Sequence, residues 1–339
     1  MIRTGIVGLG FMGQQHFAIH QAMADLDLVA VCDKEPGRRA EQIEPVGGNI
    51  GEAQTLDLSG LSRYAALDEL LAHDGLDCVD ICTPTYLHAD MTVQALEAGK
   101  HVICEKPMAL TAADCQRMID AARANEKLLF IAQCIRFWPA YEKLAEMVQS
   151  GELGRLTSAK FTRVSPTPTW SQDNWLMDVA LSGGAITDLH IHDVDFIISC
   201  FGRPKSVSTQ AANRVSSGEK VDNAITQYQY GDFVCVAEGA WGFPGTWPFE
   251  MAFTVLGDNG CLDFSTSHDP MLMYYPADGE PFSPAVSDET GYQREFAYFV
   301  ACLQANQQPE RVTPESAMES VRVVMAERHS AETGERVGL

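Results

Sequence analysis

The stretch GIVGLGFMG, residues 5–13, decides the fold of the N-terminal half. A short apolar run leads into three glycines spaced as GxGxxG, and a helical stretch follows them. In such a strand–turn–helix, the first glycine permits a tight turn, the second lets the backbone approach a pyrophosphate, and the third allows close helix packing. The pattern therefore predicts a dinucleotide-binding turn. The residues predicted to bind there are Gly8, Gly10, Phe11, Met12 and Gly13.

An acidic residue follows the turn at the distance that this interpretation requires. Asp33 closes the next apolar run, LDLVAVCD, twenty positions after Gly13. A carboxylate there accepts hydrogen bonds from an adenosine ribose diol and repels a 2′-phosphate, so NAD is favoured as the cofactor. The cations at Lys34, Arg38 and Arg39 leave NADP possible. The structural alternative is a glycine-rich turn followed by a helix-capping aspartate.

Strand-like runs alternate with amphipathic helical stretches through the first part of the chain. This alternation predicts βαβ units, and hence a doubly wound parallel sheet in a domain over residues 1–125. Residues 126–339 carry strand-like runs such as TSAKFTRV and FEMAFTVLG, which predict an α/β domain with a large, mostly antiparallel open sheet. A helix from about Gly183 to Phe201 is predicted to cross that sheet. The glycine-rich segment 44–62 lacks periodicity and is interpreted as an inserted surface loop.

The stretch HVICEKPMALT, residues 101–111, places a lysine directly after an apolar run. Ligands of a doubly wound sheet bind outside the carboxyl ends of its strands, where the glycine turn, TPTYLH and EKP are predicted to meet. By itself, Lys106 fits a surface lysine and a catalytic lysine equally well, and the convergence of strand ends favours catalysis. A cis bond between Lys106 and Pro107 is a further hypothesis.

The stretch SGGAITDLHIHDVDF contains Asp188 and His192, four positions apart and predicted to share one helix face. An imidazole can accept a hydroxyl proton as hydride leaves the carbon, because imidazoles titrate near neutrality. The carboxylate can anchor a neighbouring hydroxyl or pair with Lys106. His190 falls on another face and is interpreted as structural. A solvated polar helix face is the alternative for the whole stretch.

Composition limits the classes of partner and compartment. The 339 residues suggest two domains, and a net charge of −22 argues against nucleic acid and anionic membranes as partners. The ten cysteines are scattered without a CxxC pair, which is typical of buried thiols in a reducing cytoplasm. No clustered ligands predict a metal site. The N-terminus lacks a signal-peptide pattern, and no apolar run approaches the ~20 residues of a membrane span.

With these motifs, the chain resembles the Gfo/Idh/MocA oxidoreductases, a family that includes inositol and glucose–fructose dehydrogenases. The matching segments run in family order along nearly the whole chain: GIVGLGFMG, DICTPTYLHADM, GKHVICEKPMAL, RFWPAYEKL, SGGAITDLHIHDVDF and SAETGERV. The resemblance implies a Rossmann domain followed by an α/β domain with a large open sheet, assembled into a homodimer or homotetramer. Three departures put the substrate in doubt: the insertion at 44–62, Cys134 near a common asparagine, and His190 where glycine is common.

The resemblance also implies roles by position. Lys106 matches the lysine of the family's EKP motif, Asp188 matches its acidic position, and His192 matches its general base. Asp195 matches the acidic residue three positions beyond the histidine. The residues implied around the nicotinamide and its ribose are Thr83, Pro84 and His88, and Glu105 and Lys106 are also predicted to bind the cofactor. Those implied at the border of the pocket are Arg136 and Pro139.

These inferences predict reversible oxidation of a secondary alcohol on a cyclic polyol or sugar, with an inositol-like substrate favoured by His192. Lys106 is expected to stabilise the developing alkoxide, and Asp188 to fix an adjacent hydroxyl. Further substrate contacts are predicted from PTPTWSQDNWLMD, with core packing and turn formation as the alternative. The candidate substrate-binding residues are Lys106, Arg136, Asp173, Asn174, Trp175, Asp188 and His192.

Two alternatives stay open. A redox-neutral NAD-dependent glycosidase of the same fold would oxidise its substrate transiently and return the hydride. A non-catalytic dinucleotide-binding regulator would need only the first domain's chemistry. Retention of Lys106, Asp188 and His192 together argues against the regulator.

Overall fold

A computed structural model describes residues 1–48, 55–216 and 219–339, and its chain divides into two compact units. The first unit comprises Met1–Gln133, Thr169–Leu176 and Glu295–Glu319. The second unit comprises Cys134–Pro168, Met177–Arg294 and Ser320–Leu339. The sequence predicts one boundary, at 125–126, whereas each compact unit is assembled from three separate stretches of chain.

A parallel sheet organises the first unit. Within the described residues, its strands are β1 Ile2–Val7, β2 Leu26–Cys32, β3 Gln42–Ile43, β4 Leu56–Asp57, β5 Ser62–Tyr64, β6 Cys78–Ile81, β7 His101–Glu105 and β8 Leu129–Ala132. Six of them form one sheet in the order β5-β2-β1-β6-β7-β8, and every described neighbouring pair in it is parallel. The strand order reverses between β1 and β6, which is the switch point of a doubly wound sheet. The predicted fold of this half is confirmed.

Helices alternate with these strands along the chain, and two later helices complete the unit. They are α1 Phe11–Ala22, α2 Leu67–Leu71, α3 His88–Glu97 and α4 Ala112–Ala124, with α9 Gly291–Ala305 and α10 Pro314–Thr333 contributing from much later in the chain. Helix α4 begins where the Thr111 hydroxyl accepts the Asp114 N–H at 3.1 Å, a side-chain cap that satisfies an otherwise unbonded donor. Helix α9 buries Phe296 and Phe299, and the Phe299 ring lies 4.8 Å from that of Phe130 on β8.

The glycine-rich segment 44–62 is only partly a loop. Strands β3 and β4 pair antiparallel, so that Ile43 faces Leu56. Leu56 and Leu58 are buried in a cluster with Ile43 and with Phe17 of α1. The prediction of a surface loop is therefore wrong for the C-terminal part of the segment, because Leu56 and Leu58 contribute to the core. Residues 49–54 lie outside the described residues.

A larger sheet organises the second unit. Its described strands are β9 Leu156–Pro166, β10 Ser206–Ala212, β11 Asn223–Gln229, β12 Val234–Phe243, β13 Glu250–Gly257, β14 Gly260–Ser265, β15 Leu272–Pro276 and β16 Val337–Gly338. They lie in the order β15-β14-β13-β9-β12-β11-β10-β16, and only the described pair β9 and β12 is parallel. The predicted large, mostly antiparallel sheet is confirmed. The unit's described helices are α5 Pro139–Gln149, α6 Val179–Ser182, α7 Ala185–Asp188 and α8 Ile191–Phe201, with part of α9 and α10.

The prediction of a single helix from Gly183 to Phe201 is wrong. Gly183 and Gly184 have φ values of +75° and +74°, a left-handed conformation that glycine adopts without steric cost and that ends α6. A second interruption at Leu189–His190 separates α7 from α8. The stretch from Gly183 to Phe201 therefore forms two helices, α7 and α8, and α6 ends directly before it.

In the part of the chain that the structure describes, no helix combines the length and apolar character needed to cross a membrane.

Candidate functional site

The glycine turn has the geometry that its spacing predicts. Gly8 has φ +89°, and its N–H donates to the Cys32 carbonyl at 2.8 Å. A Cβ added to Gly13 would lie 1.8 Å from the Gly8 carbonyl oxygen, so no larger residue fits between α1 and the turn. The turn thus leaves a cradle of bare backbone at the start of α1, which suits an anionic pyrophosphate.

Asp33 lies at the end of β2 and holds the turn in place. Its Oδ2 accepts the Leu9 N–H at 2.8 Å, and its Oδ1 accepts the Glu35 N–H at 2.9 Å. The guanidinium of Arg38 approaches the same turn, since its Nη1 lies 3.1 Å from where a Cβ of Gly10 would stand. A carboxylate for a ribose and a cation beside a phosphate-binding turn both fit a dinucleotide.

The loops after β6 and β7 are joined by one histidine. His88 is buried; its Nδ1 lies 2.7 Å from the Pro107 carbonyl oxygen and its Nε2 lies 2.8 Å from that of Thr83. Burial lowers the pKa of His88. Because both ring nitrogens face backbone carbonyls, this side chain connects the Thr83–Pro84 loop to the EKP loop. Its predicted part in cofactor binding would therefore be to position these loops.

Lys106 follows β7 at the same edge of the sheet. Its backbone N–H donates to Glu105 Oε2 at 2.9 Å, and its side chain is half-buried. The hypothesis of a cis Lys106–Pro107 bond is confirmed. The structure thus brings the glycine turn, the Thr83 loop and Lys106 to the carboxyl ends of neighbouring strands.

A buried polar cluster, which we call the His16 cluster, lies directly behind these strand ends. Its members are His16, His20, Asp80, Cys82 and Glu105. His16 Nδ1 lies 2.9 Å from Asp80 Oδ2, and His16 Nε2 lies 3.0 Å from Glu105 Oε1. His20 Nε2 lies 3.0 Å from the same Asp80 oxygen. Helix α1 is therefore linked through His16 to the ends of both β6 and β7.

Charge in the His16 cluster is fixed by its carboxylates. Burial opposes ionisation, yet the Asp80 carboxylate raises the pKa of His16 well above its ordinary value. Burial likewise favours neutral Asp80, but His16 and His20 hold the pKa of that carboxyl well below its usual range. The imidazolium–carboxylate contact accounts for the proximity of His16 and Asp80, and Cys82 Sγ lies 3.2 Å from His16 Nδ1. The potential ligand atoms of these three residues all lie within 4.8 Å of one another.

Sequence reasoning missed this cluster because its members are far apart in the chain. Asp80 is 64 positions from His16. One signal was visible: Asp80 interrupts the apolar strand CVDI, which is buried at every position. A charged residue in such a strand requires a buried partner.

The segment Thr169–Leu176 carries the predicted substrate contacts and belongs to the first unit. Asp173 Oδ2 lies 3.4 Å from Lys34 Nζ, and both side chains are exposed. The Trp170 ring lies 6.2 Å from that of Phe11 in the glycine turn. Asp173 and Asn174 have φ values of +52° and +54°, and Trp175 is half-buried. The segment therefore contacts the glycine turn and Lys34. The substrate-binding roles of Asp173, Asn174 and Trp175 stay predictions.

Asp188 and His192 lie in the second unit, on two different helices. The Asp188 N–H donates to the Gly184 carbonyl at 2.9 Å, and Asp188 ends α7. The His192 N–H donates to the Leu189 carbonyl at 3.3 Å, whereas a regular helix would direct it to Asp188. The prediction that both side chains share the face of one continuous helix is therefore wrong. Asp188 is half-buried, and His192 is 9% exposed at the start of α8.

Two buried ion pairs hold the first turns of α8. Arg163 Nε and Nη2 donate to the carboxylate of Asp193 at 2.8 and 2.9 Å. Arg136 Nε and Nη2 donate to Asp195 at 2.7 and 2.6 Å. Ser320 donates to the Asp195 carboxylate at 2.7 Å. Bidentate pairs of this kind fix geometry as well as charge, so the backbone that carries His192 is rigidly placed.

Arg136 was predicted as a substrate contact. In the structure its guanidinium is buried and makes the bidentate pair with Asp195. Its substrate role stays a prediction, and its observed contacts support α8.

Comparisons with known proteins identify the family and the fold. Residues 2–133 match the oxidoreductase family with an NAD-binding Rossmann fold, and residues 141–263 match the GFO/IDH/MocA C-terminal domain. The myo-inositol 2-dehydrogenase of Thermotoga maritima is 30% identical over 194 residues, which cover 57% of this chain and 53% of that protein. The D-glucoside 3-dehydrogenase of Escherichia coli is 31% identical, over 64% of this chain and 59% of that protein. The chain thus matches somewhat more than half the length of these curated relatives.

Solved structures extend the likeness of fold to the whole chain. The WlbA dehydrogenase from Bordetella pertussis, in complex with NADH and UDP-GlcNAcA, has a TM-score of 0.83 at 22% identity, covering 100% of this chain and 98% of that one. Levoglucosan dehydrogenase in complex with NADH and levoglucosan has a TM-score of 0.83 at 20% identity, covering 99% of both chains. With both domain matches in order, the chain belongs to the GFO/IDH/MocA oxidoreductase family and carries that family's NAD-binding Rossmann fold in its first unit.

Proposed function

We propose that the protein is an NAD(P)-dependent dehydrogenase that transfers hydride between a secondary alcohol of a cyclic polyol or sugar and the nicotinamide. The observation that carries the proposal is His192, buried at the start of α8 beside two aspartates held by arginines, in a chain with an NAD-binding turn. The names of the relatives, which act on myo-inositol and D-glucosides, support the substrate class.

The proposed chemistry assigns one task to each of three side chains. His192 accepts the proton of the substrate hydroxyl, which is general-base catalysis. The ammonium of Lys106 stabilises the negative charge that develops on the substrate oxygen. The carboxylate of Asp188 accepts a hydrogen bond from a neighbouring hydroxyl and so orients the ring. The nicotinamide, when bound, supplies the hydride acceptor.

NAD is the preferred cofactor in this proposal, and NADP is possible. The bare backbone of the glycine turn would hold the pyrophosphate, and Asp33 would hold the adenosine ribose. Lys34 pairs with Asp173, so that a 2′-phosphate would compete with a carboxylate for this cation. The Thr83–Pro84 loop and Lys106 would border the nicotinamide.

The proposal is tested by following NADH absorbance with NAD, then NADP, across inositols, glucosides and anhydrosugars. We expect NADH to accumulate with at least one of these compounds, and the His192→Asn variant to lose about 10²-fold or more of that rate. Silence across the panel, with cofactor released only on denaturation, would instead indicate a redox-neutral enzyme such as the glycosidase.

We also propose that the protein is a homo-oligomer through the open face of the second unit's sheet. Helices α7 and α8 contact β9, β11 and β12 on one face. Residues pointing away from the buried face include Ile225 on β11 and Leu256 on β13, which are 53% and 41% exposed. Exposed apolar side chains on one face of a sheet commonly mark a subunit contact.

Light scattering on a sizing column tests this surface. We expect a dimer or tetramer for the wild type and a monomer for Ile225→Lys/Leu256→Lys, since two buried ammonium groups would oppose assembly. Met325→Lys, at an exposed position of α10, is the control and should leave the assembly unchanged. A stable wild-type monomer at low protein concentration would contradict the proposal.

A further inference from the structure

His190 is a buried histidine that the proposed reaction does not use. It lies in the turn between α7, which ends at Asp188, and α8, which begins at Ile191. Its side chain is fully buried. A residue with a polar ring at such a position needs partners, and their identity indicates its role.

Three elements of the second unit surround the His190 ring. Gly239 on β12 makes room for it, because a Cβ added there would lie 2.5 Å from His190 Cβ and Nδ1. Glu327 Oε2, from the C-terminal part of α10, lies 3.5 Å from His190 Nε2. The Tyr228 hydroxyl on β11 lies 3.3 Å from the same nitrogen. The ring is therefore held by the sheet below and by the last helix of the chain.

The backbone of His190 forms the junction between the two helices. Its N–H donates to the Ala185 carbonyl at 2.8 Å, skipping one residue of the regular helical pattern. Its own carbonyl accepts the N–H groups of Asp193 and Val194 at 3.1 and 3.2 Å. The position of His190 thus sets the end of α7, where Asp188 lies, and the start of α8, where His192 lies.

We propose that His190 is a positioning residue, whose buried ion pair with Glu327 holds the junction that places Asp188 and His192 for the reaction. This inference rests on the proposed function for the roles of those two residues. Small displacements of a general base are costly, since misplacement by about 1 Å can reduce a rate about 10²-fold.

Charged groups around the ring make its effect depend on pH. Burial opposes the imidazolium, but Glu327 raises the pKa of His190 above its ordinary value. Asp193 also raises it, and Arg163 lowers it. A raised pKa means that the ion pair is fully formed below the ordinary histidine pKa and is lost as pH rises through the folded value. The ion pair therefore contributes a fall in kcat on the alkaline side of the pH profile.

The Glu327→Gln variant tests this arrangement by removing the charge and keeping the shape. We expect the alkaline fall in kcat that the ion pair contributes to disappear, because no carboxylate pairs with the His190 ring at any pH in this variant. Peak kcat should fall about 10-fold or more. The KM for NAD should hold, because the residues that would bind NAD belong to the first unit. Glu332→Gln makes the same chemical change at an exposed position of α10 and should leave the profile unchanged.

A variant in which both members of the ion pair are replaced by neutral residues distinguishes a positioning role of His190 from a contribution to stability alone. The His190→Gln/Glu327→Gln variant contains no uncompensated buried charge, so it should recover thermal stability relative to Glu327→Gln alone. It should nevertheless lack the alkaline fall that His190 contributes. Recovered stability with an unmoved pH profile in both variants would overturn the proposal and leave His190 a packing residue.

Histidine-selective NMR keeps the inference testable if the proposed function fails. The His192 ring resonance, assigned by its loss in His192→Asn, should shift in Glu327→Gln and stay in place in Glu332→Gln. If the wild type oxidises no polyol or sugar, the catalytic proposal fails, and this shift still supports placement of His192 by the ion pair. An unchanged His192 resonance in Glu327→Gln would overturn the positioning role whatever the substrate proves to be.

Discussion

Replacing Lys106 by methionine is expected to lower kcat/KM for the alcohol by about 10³-fold, because a preorganised charge near a developing alkoxide contributes on this scale. Methionine keeps most of the length of the side chain and removes its charge. The backbone of Lys106 is held independently of that charge, since its N–H donates to Glu105, which in turn contacts His16. The loop should therefore keep its structure while the chemistry slows.

Steady-state rates and a fluorescence titration with NADH together check this prediction. The dissociation constant for NADH should stay within about threefold, since binding and transition-state stabilisation are separable contributions. Lys205→Met, which removes an exposed lysine of the second unit, is the control and should change neither quantity. A rise in KM for the alcohol with unchanged kcat would contradict the prediction and make Lys106 a simple binding residue.

Gly13→Ala is expected to weaken NAD binding by about 10²-fold or more and to lower the free energy of unfolding by about 1–3 kcal/mol. The added methyl group would lie 1.8 Å from the Gly8 carbonyl oxygen. The methyl group is bonded directly to the backbone of α1, and the oxygen belongs to the backbone of the turn. Neither atom can rotate away, so the clash is relieved only if α1 moves away from the turn. Isothermal titration with NAD and urea unfolding measure the two effects.

Alanine substitutions at two other glycines of the same unit distinguish an effect on folding from an effect on NAD binding. At Gly10 an added Cβ meets only the end of the Arg38 side chain, at 3.1 Å, so Gly10→Ala should fold almost normally. It should still weaken NAD binding, because a methyl group would stand where the backbone approaches the pyrophosphate. At Gly37 nothing lies within 4 Å, and Gly37→Ala should leave folding and binding unchanged. Normal NAD affinity in Gly13→Ala would show that the cofactor does not use this turn.

Local sequence signals predicted the part of the first unit that depends on local geometry. The glycine turn, Asp33 at the end of β2 and the cis bond before Pro107 all follow from backbone requirements of neighbouring residues. The doubly wound parallel sheet followed from the alternation of strands and helices, which permits few topologies. Lys106 could be placed at a strand end for the same reason.

Long-range packing could not be predicted in the same way. Leu56 and Leu58 lie in a stretch without periodicity, and their burial depends on contacts with Phe17 and Ile43. The break between Asp188 and His192 has no glycine or proline at its position. It arises where the side chain of His190 reaches Gly239 and Glu327, which are distant in sequence.

The order in which the chain is synthesised gives the discontinuous first unit a further consequence. The six strands of its sheet are complete once Ala132 has left the ribosome, but Phe296 and Phe299 emerge far later. Phe296 lies 4.9 Å from the His16 ring and 5.3 Å from the His20 ring, and covers the polar cluster edge-on. Domains often fold as they emerge, N-terminal portions first. In the nascent chain, the His16 cluster and the Phe130 ring of the NAD-binding sheet therefore stay uncovered until helix α9 has been synthesised.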